Sequence, residues 1–136
     1  MKKLNIGALG ILAVLVSLTP NLNAAPNSDF SWTEPTNYVD GTIIPATDQL
    51  SYTLYCGNVQ GGPYNFVDII GVDTTSAIAV DLNSCVNGVP GTYYFVLTAT
   101  SADFNSESDY SGEASRTFNA SELGKVPLPP VIISVN

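Results

Sequence analysis

Apolar and polar residues alternate with a period of two along most of this chain, and the alternation restricts its fold more than any other feature. Successive side chains of a β-strand point to opposite faces, whereas the apolar face of a helix recurs about every 3.6 residues. The strongest run has an apolar face made by Tyr93, Phe95, Leu97 and Ala99. The other runs span residues 29–33, 50–56, 64–72, 76–82 and 114–118. Short strands separated by turns such as Pro90-Gly91 predict an all-β chain that folds as an antiparallel β-sandwich.

The N-terminus has the pattern of a secretory signal peptide. Lys2 and Lys3 precede an apolar run over residues 6–18, and Ala24 supplies a small residue at its exit. The run is shorter than the roughly 20 apolar residues that a membrane-spanning helix needs. We therefore expect residues 1–24 to lie outside the fold and to be removed after Ala24. The mature protein would be secreted, extracellular or at the cell surface, and would have no membrane span.

The balance of charged residues argues against several classes of function. The 136 residues include 12 Asp and Glu, 4 Lys and Arg and no His, with a formal net charge of −8. Loss of Lys2 and Lys3 with the signal peptide would leave 2 basic and 12 acidic residues, a net charge of −10. Such a chain is unsuited to binding nucleic acid, and without His it lacks the usual catalytic base and the usual zinc ligand. We expect a protein that is not an enzyme and that holds no cofactor or metal.

The two cysteines, Cys56 and Cys85, are expected to form a disulfide, because the chain is expected to be exported. The bond would close a loop of about 30 residues and stabilise the fold by roughly 3–4 kcal/mol on the chain-entropy model. A redox-active pair is the alternative, and the absence of a Cys-x-x-Cys motif argues against it.

Four segments, in the right order along the chain, resemble parts of a fibronectin type III domain. They are residues 30–35, residues 39–42 with 50–57, residues 90–95 with 98–99, and residues 105–108 with 110–111. The first is similar to the second strand of that family, and the resemblance implies that Trp32 is its buried tryptophan. The third resembles the turn and sixth strand, with Tyr93 as the corner tyrosine. Gly88 departs from the pattern, since the family usually has a leucine two residues before the proline.

The resemblance covers residues 29–118 and includes features of the family's bacterial members. It implies a single immunoglobulin-like sandwich after a signal peptide. The ends of the chain depart from the family pattern, because only four residues, including Pro26, separate the predicted cleavage site from Asp29. Those residues cannot supply the family's first strand. The strand that carries Trp32 would then be an open edge with unpaired backbone groups and part of the core uncovered.

The C-terminus, in turn, contains an additional segment with the pattern of a strand. Residues 126–136 continue past the last strand of the sandwich, and their apolar positions alternate after a proline-rich lead-in. We expect this tail to fill the open edge of a neighbouring molecule, since its own edge begins at the opposite pole of the fold. The expected assembly residues are Val126, Leu128, Val131, Ile133 and Val135. The expected acceptor edge and core contain Phe30, Trp32 and Tyr93.

This interpretation divides the chain into a signal peptide (1–24), a sandwich (25–120) and a C-terminal linker with a candidate donor strand (121–136). It predicts a non-enzymatic structural subunit that polymerises head to tail with itself into an extracellular filament. The tail could instead complete its own sandwich, add beside the last strand, or remain flexible. The alternative function is a monomeric secreted binding or adhesion module that uses loops 34–48 and 101–112. Its partner would be a cell-surface protein or a glycan.

Three weaker motifs remain. Oxygen-bearing residues recur at positions 103, 105, 107 and 109 as in a calcium loop, but the expected glycine and terminal acid are replaced by Ser108 and Ala114. A solvated polar loop is favoured there. Asn119-Ala120-Ser121 fits the acceptor pattern for N-glycosylation. Four tyrosines, Tyr38, Tyr55, Tyr64 and Tyr94, could form a platform for glycans or peptides, although cross-strand packing is the commoner role of such residues.

Overall fold

The computed structural model describes residues 14–16, 26–123 and 129–134, and for residues 14–16 it describes the backbone. Eight strands lie in this part of the chain. They are β1 (Val14–Val16), β2 (Asn27–Trp32), β3 (Leu50–Gly57), β4 (Asn65–Val72), β5 (Ser76–Asp81), β6 (Gly91–Ser101), β7 (Ser106–Glu107) and β8 (Ala114–Phe118). A short helix, α1 (Asn83–Val86), follows β5, and a 3-10 turn (Ala120–Glu122) follows β8.

The strands form two antiparallel sheets. One sheet has the order β1-β2-β5, and the other has the order β4-β3-β6-β7, with β8 also paired to β6. Each of the six alternating runs of the sequence lies in a strand, so the predicted all-β antiparallel sandwich is confirmed. The sequence analysis did not predict β1, β7 and α1, and each of them has no more than four residues.

The core lies between the inner faces of the two sheets. The ring of Phe30 in β2 meets that of Phe95 in β6 edge to face, with 5.3 Å between centroids. The rings of Trp32 and Tyr52 of β3 are tilted by 52° to each other, with 5.0 Å between centroids. Each of these four side chains is buried, because the period-two alternation directs them all to the inner face.

Tyr93 also lies in the core and joins β6 to the turn before it. Its hydroxyl donates to the carbonyl oxygens of Val89, at 2.8 Å, and Val86, at 3.2 Å. A tyrosine at the start of a strand that bonds back to the preceding turn is the tyrosine corner of immunoglobulin-like sandwiches. Burial raises the pKa of the hydroxyl, which therefore keeps its proton for these bonds. Both hydrogen bonds form although Gly88 stands two residues before Pro90, where the resemblance led us to expect a leucine.

The predicted disulfide is present between Cys56 and Cys85, whose Cα atoms are 6.1 Å apart. Cys56 lies in β3 of one sheet, and Cys85 lies in α1, which follows β5 of the other sheet. The bond therefore ties the two layers together at one end of the sandwich.

The folded unit extends beyond residue 120, where the sequence analysis ended it. Glu122 is buried and accepts a hydrogen bond from the Arg116 guanidinium at 3.1 Å. Its second carboxylate oxygen accepts from the backbone N–H of Asn119 at 2.7 Å. Leu123 is buried in the core. Residues 121–123, expected in the linker, thus belong to the sandwich, because a buried arginine on β8 requires the carboxylate of Glu122.

Strand β1 lies within the predicted signal peptide, which was expected to stay outside the fold. The rest of residues 1–24 lies outside the described residues. Val14–Val16 pair antiparallel with β2 in the full-length chain. The pairing has a simple cause, since the edge of a sheet presents unpaired N–H and C=O groups that an apolar strand can satisfy.

Candidate functional site

The edge of β2 is the candidate functional site. One side of β2 pairs with β5, and the other side pairs with β1 in the register Val14–Trp32, Leu15–Ser31 and Val16–Phe30. Strand β1 also lies close to β8 of the opposite sheet. It therefore covers the side of the sandwich between β2 and β8, at the edge that the sequence analysis expected to be open.

Removal of residues 1–24 would leave this edge open. Phe30 and Trp32 are 2% and 6% exposed with β1 in place. Without β1, the backbone of residues 30–32 would lose its partners on this side. Such an edge favours the addition of another apolar strand, because both the backbone hydrogen bonds and the cover of the core would be restored.

The described part of the tail makes no strand and does not fill that edge. Residues 129–134 have no regular secondary structure and are exposed. Val131, Ile132 and Ile133 are 85%, 81% and 96% exposed. Val126, Leu128 and Val135, the other expected assembly residues, lie outside the described residues. Three large apolar side chains in succession are thus left in solvent.

The direction of β2 bears on where the tail can go. Arg116 of β8 donates to the carbonyl oxygen of Asn27 at 2.8 Å and also bonds the hydroxyl of Ser28, so β8 ends beside the start of β2. An antiparallel strand in the place of β1 begins opposite Trp32, at the other end of β2. The tail would have to cross the length of β2, about 20 Å for six residues. Residues 124–130 reach about 25 Å when fully extended, which leaves little slack.

Loops 34–48 and 101–112 meet at one end of the sandwich through a buried carboxylate. Asp48 accepts hydrogen bonds from the hydroxyls of Tyr38 and Ser101, each at 2.6 Å, and from the backbone N–H of Asp103 at 3.0 Å. Desolvation opposes the charge of Asp48, but the hydrogen bonds outweigh it and lower the pKa. Burial and the Asp48 carboxylate raise the pKa of Tyr38 to about 12. This network fixes the two loops relative to each other.

An open pocket of about 490 Å³ lies beside these loops. It is lined by Glu34, Pro35, Thr36, Ile43, Ile44, Pro45, Ala46, Asp48 and Asp73. It is the part of the fold that the alternative function, a loop-based binding module, would use.

The four tyrosines expected to form a platform do not lie together. Tyr38 is buried in the loop network, and Tyr94 is half-buried on β6. Tyr55 and Tyr64 do lie on one face, where Tyr110 joins them with ring centroids 5.2 and 5.3 Å away. The sequence analysis missed Tyr110 as a platform residue because it lies in a polar stretch without alternation. Its only signal was an aromatic residue among serines and acids.

The calcium-like spacing does not produce a metal site in the described residues, where no three Asp, Glu, Cys or His side chains could hold an ion together. Glu107 instead accepts hydrogen bonds from Tyr55 and Thr98. Asn119 of the glycosylation pattern is exposed and caps the 3-10 turn together with Glu122.

Comparisons with protein families, with curated proteins and with solved structures found no match to this chain. None of the helices in the described residues is long and apolar enough to cross a membrane. The edge of β2 and the exposed tail therefore have to be interpreted from their own geometry.

Proposed function

We propose that this protein is a secreted, non-enzymatic structural subunit that assembles into an extracellular filament. Each molecule would donate residues 126–136 to the β2 edge of the next. The observation that carries the proposal is the pairing of β1 with β2. A short apolar segment from outside the sandwich body adds there in a defined antiparallel register, and cleavage of the signal peptide would vacate the position.

We also infer that the sandwich is of the fibronectin type III kind. The buried Trp32, the corner formed by Tyr93 and the three-stranded sheet facing a larger one support this inference. If the sandwich is of this kind, β1 occupies the place of the family's first strand, and the mature chain lacks a first strand of its own.

The exposure of the tail supports donation between molecules rather than self-completion. Val131 and Ile133 are left in solvent within one molecule, although alternation makes them suitable for the inner face of a strand. To reach the edge of its own molecule, the tail would have to extend residues 124–130 almost fully, and this stretch is rich in proline. A neighbour stacked head to tail presents its Trp32 end to the tail, so the same strand would be added without a crossing. Contacts of this type propagate into filaments.

A comparison of two chains tests the proposal: residues 25–136 and residues 25–123. The shorter chain keeps Glu122 and Leu123, which belong to the fold, and lacks the tail. Electron microscopy should show filaments of the longer chain alone, and unheated samples should give an SDS-resistant ladder. Equal polymerisation of the two chains would contradict the proposal.

A matched pair of substitutions separates loss of strand donation from a general effect of charge. Ile133→Asp places a carboxylate on the expected inner face of the donor strand, whereas Ser134→Asp places the same charge on the outer face. We expect Ile133→Asp to abolish filaments and Ser134→Asp to retain them. Neither position packs on the sandwich, so both variants should fold equally well.

A monomeric binding module remains the second candidate. The rigid junction of loops 34–48 and 101–112 around Asp48, with the open pocket beside it, favours this function. A monodisperse monomer of residues 25–136 at high concentration would favour it over the filament.

A further inference from the structure

A second groove lies on the outer face of the five-stranded sheet, away from the β2 edge. It is open, has a volume of about 560 Å³, and is lined by Tyr55, Thr98, Glu107, Ser108, Asp109 and Tyr110. The volume falls within the range of small-molecule sites in proteins. Its lining combines aromatic rings with carboxylates, and the proposed filament contact does not use it.

The chain between β7 and β8 builds one wall of this groove. Ser108 and Ser111 each donate a backbone N–H to β6, to the carbonyl oxygens of Ala99 and Leu97 at 2.8 Å. The hydroxyl of Ser108 accepts from the backbone N–H of Ala99, and the hydroxyl of Ser111 accepts from that of Leu97, each at 2.9 Å. Serine side chains thus replace backbone acceptors along the sheet edge. Both ends of this segment are held, and Tyr110 between them lies across the outer face.

The rings of the groove are arranged as walls rather than as a stack. The planes of Tyr55 and Tyr110 meet at 67°, with 5.2 Å between centroids. The planes of Tyr64 and Tyr110 meet at 76°, with 5.3 Å between centroids. Aromatic rings set at steep angles to one another are how proteins surround ammonium and guanidinium groups, which are attracted to the ring faces.

Carboxylates complete the groove. One oxygen of Glu107 accepts from the hydroxyls of Tyr55, at 2.7 Å, and Thr98, at 2.6 Å. One oxygen of Glu113 likewise accepts hydrogen bonds from the hydroxyl of Tyr64 and from the backbone N–H of Gly61. Burial and these carboxylates raise the pKa of Tyr55 and of Tyr64 to about 12. At neutral pH both tyrosines therefore keep their protons and remain hydrogen-bond donors.

No cation of the described chain neutralises this charge. Arg116 is the one basic residue between positions 26 and 123, and its guanidinium is buried in the ion pair with Glu122. It also lies over the ring of Phe118, 4.5 Å from the centroid. Glu107 and Asp109 thus lie beside two tyrosine rings and have no positive partner among residues 26–123.

We propose that this groove binds an organic cation, an ammonium or guanidinium group, against the rings of Tyr55 and Tyr110 that line it and beside the carboxylates of Glu107 and Asp109. A neutral sugar could stack on the rings and donate hydroxyl hydrogen bonds to the carboxylates, but it would not neutralise their charge. Charge complementarity therefore selects the cation. The proposal does not depend on filament formation.

Saturation-transfer difference NMR tests the proposal on the mature chain, because the method observes the ligand and tolerates assemblies. Choline probes the ammonium form and N-acetyl-arginine amide the guanidinium form. Their neutral isosteres, 3,3-dimethylbutan-1-ol and N-acetyl-citrulline amide, serve as controls. We expect saturation of at least one cation, weakened by salt, and little of its isostere. Equal saturation of cation and isostere, or of neither cation, would overturn the proposal.

Four variants locate the binding. Tyr110→Leu removes a ring and Glu107→Gln removes a charge, and each should weaken binding about two- to fivefold. Tyr110→Phe keeps the ring and should retain the affinity. Glu34→Gln removes the same charge at the separate loop pocket and should also retain it. Unchanged affinity in both Tyr110→Leu and Glu107→Gln, with melting temperatures preserved, would place the cation elsewhere and refute the assignment.

Discussion

The guanidinium of Arg116 donates a hydrogen bond to the backbone carbonyl oxygen of Asn27, 89 residues earlier in the sequence, at 2.8 Å. The same side chain pairs with Glu122 at 3.1 Å. One buried arginine thus joins the start of β2, the last strand and the turn from which the tail leaves. The two ends of the acceptor edge are thereby distinguished: the tail leaves at Asn27, and a strand like β1 begins at Trp32.

Replacing this arginine should destabilise the fold strongly. Arg116→Met leaves the buried Glu122 carboxylate without its partner, and we expect a loss of about 3–5 kcal/mol in the free energy of unfolding, measured by urea denaturation. The double variant Arg116→Met/Glu122→Gln should lose less, because no unpaired charge remains. A loss below about 1 kcal/mol in the single variant would show that the pair contributes little.

Asp48 should give the protein an acid-sensitive stability. Because its pKa is lowered in the folded state, the unfolded chain binds the additional proton. The contribution of Asp48 is then present above its unfolded pKa, about 3.9, and is lost as the pH falls through the folded value. Asp48→Asn should lower stability at pH 7 by about 1–3 kcal/mol and flatten the decline below pH 4. Parallel curves of stability against pH for the two proteins would contradict this role.

The disulfide should account for a large share of the stability. It closes a loop with a sequence separation of 29, and on the chain-entropy model its removal costs roughly 3–4 kcal/mol. The variant with both Cys56→Ala and Cys85→Ala should therefore unfold at a lower urea concentration than the oxidised wild type. The reduced wild type is the control and should resemble the variant. If reduction leaves the urea midpoint unchanged, the bond does not contribute as expected.

A peptide should replace the missing strand. We expect a synthetic peptide of residues 126–136, added during refolding of residues 25–123, to raise the melting temperature increasingly with peptide concentration, since it would bind the folded state alone. The same peptide with Ile133→Asp should have no effect. Stabilisation by both peptides, or by neither, would argue against strand addition at the β2 edge.

The strands and the core could be predicted from the sequence because alternation is local. Phe95 and Leu97 face inward whatever lies across the sheet, since burial on one face of a strand follows from the period of the chain itself. The disulfide could also be predicted, because the two cysteines of a chain expected to be exported leave one possible pair. Trp32 and Tyr93 were identified by resemblance, and both lie in the core.

Other features depend on partners that are distant in sequence, and no local pattern predicts them. Glu122 appears in the sequence as a polar linker residue, and only the approach of Arg116 explains its burial. Tyr110 lies in a polar stretch, and its place against Tyr55 and Tyr64 depends on the serines that hold residues 108–111 to β6. Strand β1 exists because β2 offers an unpaired edge.

The sequence by itself determined that the chain is an all-β sandwich, because the alternation of buried and exposed positions is a property of consecutive residues. Only the tertiary structure decided which edge accepts a strand and in which direction, and that residues 131–134 lie in solvent within one molecule. The physical reason is that a strand is completed by the hydrogen bonds of its neighbour. Alternation specifies the faces of a strand, and the partner comes from elsewhere in the fold or from another molecule.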